Sequence, residues 1–85
     1  MLNDAEHPVA WAMLMWELTD AHEHLGKLIA EMGELDDAEY AIDLGHVFAH
    51  LNRAWHGRNH TELDHLSESE RIEHSKFPVD LPAYG

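Results

Sequence analysis

The chain contains no cysteine, which excludes disulfides, thiolate metal ligands and cysteine nucleophiles. It is also poor in positive charge. Five Lys+Arg against 17 Asp+Glu give a formal net charge of −12 over 85 residues with histidine neutral. Phosphate backbones and anionic lipid surfaces repel such a chain, so neither direct nucleic-acid binding nor membrane-surface binding is expected. The longest apolar run, Val9 to Trp16, has eight residues, against the roughly 20 that a membrane-spanning helix needs. Asp4 and Glu6 stand where a signal peptide would carry Lys or Arg, and the expectation is a cytoplasmic protein. Catalytic signatures are missing as well: there is no glycine-rich phosphate loop, no Gly-x-Ser-x-Gly and no His-Glu-x-x-His. The serines, Ser67, Ser69 and Ser75, all lie in the C-terminal third. Catalysis is therefore not the expectation.

What remains is 45% hydrophobic and 26% charged, the composition of one small globular domain. Pro8 suits the first turn of a helix. From there Trp11, Leu14, Met15, Leu18, His22, Leu25, Ile29 and Met32 recur with helical periodicity, predicting a helix over 8–32. Gly33 would end it in the left-handed conformation. Asp36 or Asp37 caps a second helix over 37–56, whose stripe is Ala41, Leu44, Gly45, Phe48, Leu51, Asn52 and Trp55, with Gly57 as its stop. The link Gly33 to Leu35 is short enough to force an antiparallel hairpin. Counted outward from the turn, Leu25 faces Leu44, Leu18 faces Leu51 and Leu14 faces Trp55. The expected core is thus Trp11, Leu14, Leu18, Leu25, Ile29, Leu44, Phe48, Leu51 and Trp55. Ser67 with Glu70 forms a capping box for a short third helix over 67–76. Pro78 and Pro82 keep 77–85 out of any helix, so an extended tail is expected. The fold class read from this pattern is all-α.

A lone hairpin cannot cover its apolar faces. Val9, Met13 and Trp16 lie opposite the main stripe of the first helix and form a candidate interface. Either a second chain covers it, most simply in a homodimeric four-helix bundle, or the tail folds back over it. The reading that follows is a small acidic helical module acting by protein–protein interaction, as a homodimer with no cofactor and no catalytic activity.

Nine histidines give a competing possibility. Glu39, Asp43, His46 and His50 follow one another at spacings of four, three and four, so they share one helical face. That face could hold zinc or nickel, or it could be an ordinary solvated surface, since it lies opposite the apolar stripe and points outward. His22 falls within the apolar stripe and reads as a buried, hydrogen-bonded histidine. Arg53 and Arg58, at the end of the second helix, are a candidate anion site, although cations there also favour the helix dipole. Glu31-x-x-Glu34 followed by Glu39 and Asp43 is similar in part to the acidic helix pairs of MazG-type nucleotide pyrophosphohydrolases. Gly33 interrupts that pattern and its spacings depart from the family's, so it assigns no activity.

Overall fold

The structure is a computed structural model that describes residues 1–85. It is all-helical: α1 (Pro8–Glu31), α2 (Asp37–His56) and α3 (Glu68–His74), with 3₁₀ turns at Met32–Glu34 and Leu63–His65 and no strand. Each helix start has a local cause. Pro8 occupies the first turn of α1. Asp36 accepts from the Glu39 N–H at 2.8 Å while the Asp36 N–H donates back to the Glu39 carboxylate at 3.3 Å. Ser67 and Glu70 repeat this reciprocal cap at α3. Gly33 does not adopt the left-handed conformation; it sits inside a 3₁₀ turn, and the only positive φ in the chain is at Gly85. Gly57 ends α2 for a steric reason. A Cβ there would lie 3.0 Å from Leu63 Cδ2 and 3.0 Å from the Arg53 carbonyl, so glycine is what lets the Leu63 turn approach α2.

α1 and α2 pack as an antiparallel hairpin, but along a different seam from the one expected. The buried residues of α1 are Ala10, Leu14, Ala21 and Leu28, and those of α2 are Val47 and His50, with Asn52 buried on the other side of α2 where it donates to the Ser75 carbonyl. Leu18 (43% exposed), Leu25 (41%), Ile29 (67%), Phe48 (38%) and Leu51 (41%) are outside it. Of the expected core, Leu14 is buried and Trp11, Leu44 and Trp55 are half-buried. The reason is visible in α1, which carries two parallel heptad series offset by one residue, about 100° around the helix. The series through Leu18, Leu25 and Ile29 is the more apolar. The series through Ala10, Leu14, Glu17, Ala21, His24 and Leu28 has small residues that let α2 come close, and it has polar partners for α2. His22 goes with the first series and is exposed, not buried.

The end of the hairpin away from its turn is closed by a small apolar cluster of Leu2, Ala10, Leu14 and Leu63, with Trp11, Met13, Ala54 and Leu66 packed against it. The Leu2 N–H donates to the Arg58 carbonyl at 2.8 Å. Of the expected interface residues, Met13 is absorbed into this cluster, while Val9 and Trp16 stay exposed. The final residues carry no helix or strand. They touch α2, through Phe77 on Phe48 (5.2 Å between ring centroids) and Asp80, which accepts from the Trp55 indole N–H at 3.0 Å.

α3 docks beside α2 through imidazoles. His74 stacks on His56 at 5.6 Å and meets the edge of His60 at 5.9 Å. Burial lowers the pKa of His74, and charge on His56 and His60 adds to this against the opposing Glu70. Arg53 and Arg71 face the same small pocket. A histidine whose folded pKa is lowered contributes full stability above its ordinary value of 6.5 and loses it as the unfolded form takes up the proton first. Hydrogen-exchange protection of the α3 amides is therefore expected to fall as the pH drops through about 6.5, and His74→Phe to flatten that dependence.

Candidate metal centre

The polar face of α2 is split rather than wholly solvent-facing as expected: Glu39 and His46 are exposed, Asp43 is half-buried and His50 is buried against α1. Asp43, His46, His50 and Arg53 recur at three, four and three residues, and His50 and Arg53 of this series both meet Glu17 of α1. Glu17, His24, Leu28 and Glu31 form the matching face of α1. Where the two meet, three imidazoles gather. The ring centroids of His24 and His46 are 4.2 Å apart, those of His46 and His50 4.8 Å, and those of His24 and His50 5.3 Å. One ring nitrogen from each lies within 4.8 Å of the others. Around a tetrahedral ion with nitrogen ligands at about 2.0–2.1 Å, the nitrogens stand about 3.4 Å apart, so the triangle must tighten by up to about 1.4 Å to share one ion.

His50 is the buried member, 7% exposed, and its two ring nitrogens have different surroundings. Nδ1 lies 3.0 Å from Glu17 Oε2 and also 3.0 Å from Arg53 Nη2. It can serve only one of them. Glu17 Oε2 already accepts from Arg53 Nε at 2.9 Å, and Arg53 Nη1 donates to Ser75 Oγ at 2.9 Å. Both contacts are charge-assisted; we take the tautomer in which the Nδ1–H is donated to the Glu17 carboxylate, with Arg53 held by its bonds to Glu17 and Ser75. Nε2 then carries a lone pair, is buried, and has no hydrogen-bond partner. A carboxylate that fixes one imidazole nitrogen and leaves the other free is the arrangement that orients histidines toward metals. His46 is pushed below the ordinary histidine pKa by desolvation among its neighbours first, then by His24, His50 and Arg53, with Asp43 opposing. The neutral imidazole, the form that ligates, is favoured there.

The other expected site residues are dispersed. Glu39 is committed to the α2 cap. Asp43 lies outside the nitrogen triangle but lines an adjoining pocket with His24, Lys27, Leu28, Glu31 and His46. His24 was missed because the sequence count followed the more apolar series of α1. The signal that finds it is its seven-residue spacing from Glu17 on the polar-containing series. Arg53 and Arg58 do not converge on an anion. Arg53 is tied to Glu17 and Ser75, while Arg58 lies 3.7 Å over the Trp55 ring and donates to the Trp55 carbonyl at 2.9 Å.

No protein-family model matches the chain, and neither a curated protein nor a solved structure does. The tautomer of His50 is directly measurable. Long-range ¹H–¹⁵N correlation of the imidazole is expected to show a protonated Nδ1 and an unprotonated Nε2, and the reverse pattern would refute the assignment.

Proposed function

We propose that this chain is a divalent-metal-binding helical protein in which His24, His46 and His50 hold one ion. The observation that carries the reading is the buried, unpartnered Nε2 of His50 beside two further imidazoles. A buried nitrogen without a partner costs on the order of 1–3 kcal/mol, and a metal ion removes that cost. Three neutral nitrogens without thiolate suit zinc or nickel. Glu17 is a positioning residue that holds His50 through Nδ1, and Asp43 is a neighbour of the ion rather than its ligand. Isothermal titration with Zn²⁺ is expected to show one site per chain. His24→Ala and His46→Ala, both at accessible positions, should weaken it by at least about a hundredfold, and Glu17→Gln by about 10–100-fold. Unchanged affinity in the two alanine variants would overturn the reading.

A second reading, homodimeric assembly for interaction with other proteins, is supported by a different observation. The exposed Leu18, Leu25 and Ile29 of α1 and Phe48 and Leu51 of α2 each follow a seam residue by one position, the same turn about antiparallel axes, so they share one side of the hairpin. The accessible surface is 6240 Å², where a folded monomer of 9.8 kDa exposes about 5,200 Å². That excess is close to the roughly 800 Å² that each partner buries in a standard interface. Pairing two such faces gives a four-helix bundle. Sedimentation equilibrium should show a dimer that Leu25→Glu converts to monomer without loss of zinc binding. A monomeric wild-type chain at about 100 μM would sink this reading, since typical stable interfaces hold well below that concentration.

A further inference from the structure

The pocket beside the histidines differs from the three-nitrogen triangle in chemistry. It measures about 260 Å³ and is lined by His24, Lys27, Leu28, Glu31, Asp43 and His46. Its walls come from residues one and two turns beyond His24 on α1 and one turn before His46 on α2, so it continues the seam toward the hairpin turn. His50 is not part of its lining; the Nε2 of that residue is buried and has no hydrogen-bond partner. Only three nitrogens converge, and no carboxylate joins them within the same radius. An ion held there has a coordination position left over, because zinc-type ions take at least four ligands. Two of its three ligands form the pocket wall, so that position opens into the pocket.

The charges around the pocket decide what it accepts. Once an ion is present, its two positive charges and that of Lys27 exceed the negative charges of Asp43 and Glu31 by one. One further negative charge balances the site. The volume lies below the roughly 300–1,000 Å³ of pockets for drug-sized ligands, which limits the ligand to a small one. We propose that the three-histidine centre is an open one, whose free position is held by an exchangeable water and is taken from the pocket side by a small oxygen- or nitrogen-donor monoanion, carboxylates among them, with Lys27 as its counter-charge. This rests on the metal-binding reading and adds to it the class of ligand that the metal takes.

The test uses the full chain loaded with Co²⁺, whose visible absorption reports its coordination, titrated with azide and separately with acetate. Both anions should shift the spectrum with saturation at one per ion. Lys27 is exposed, and Lys27→Met should keep the cobalt spectrum while weakening both anions about two- to fivefold, the scale of an accessible ion pair. Absence of cobalt binding in equilibrium dialysis would overturn the metal-binding reading and this inference together. A cobalt spectrum that forms normally but ignores both anions would overturn the open position alone. Equal anion affinity in Lys27→Met would remove Lys27 as counter-charge and place the anion outside this pocket.

Discussion

One carboxylate sets the geometry of the hairpin. Glu17 Oε2 sits 2.9 Å from Arg53 Nε and 3.0 Å from His50 Nδ1 across the α1–α2 seam. Two partners from α2, one turn apart, fix both the rotation and the register of α2 against α1. Arg53 extends the link to Ser75, just past α3, so the third helix is positioned by the same group of side chains. The geometry matters more than the energy of any single ion pair. Glu17 and Arg53 are half-shielded, and pairs in such surroundings contribute modestly. Their effect is to choose the polar-containing heptad series of α1 as the seam, and the exposure of the more apolar series follows from that choice.

How much of this was legible in the sequence depends on which physical signal governs each element. Helix limits are local matters. The Asp36–Glu39 and Ser67–Glu70 caps and Pro8 are read from a few neighbouring residues, and α2 has the range they imply. The seam is a comparison between two faces. Apolar content favours Leu18, Leu25 and Ile29, whereas close approach at Ala10 and Ala21 and the pairing of Glu17 favour the face one residue away. A rule that counts apolar residues cannot weigh those terms. The burial of His50 against Glu17 was lost for that reason, and with it the approach of His24 to His46. Gly57 illustrates the same limit: its place at the end of α2 is legible, but its contact with Leu63 is tertiary.

Burial in the chain is uneven, and this shapes its physics. Only ten residues are buried, and they divide among the closed cluster near Leu2 and Leu63, a thin line along the seam, and Asn52, which donates to the Ser75 carbonyl on the α3 side of α2. The radius of gyration is 14.2 Å, where a compact domain of this length has about 12 Å. Long, thin packing leaves much of each helix surface available. On one side that surface is apolar; along the seam it is imidazole and carboxylate. Such a chain gains more from added partners, whether an ion or a second copy, than a compact domain of equal length would.

The clasp at the open end of the hairpin has a consequence for the order of events during synthesis. Chains emerge N-terminus first, and Leu2 packs with Leu63 and bonds to Arg58, residues made some sixty positions later. The α1–α2 turn, in contrast, joins segments that are neighbours in sequence and needs no late residue. The hairpin can therefore zip from Met32–Glu34 outward, while the apolar start of α1 waits uncovered until the Leu63 turn has left the ribosome. Contacts between such distant positions carry the largest loop-closure cost in the molecule. The interval before the clasp shuts is when Ala10 and Leu14 are most open to contact with other nascent chains.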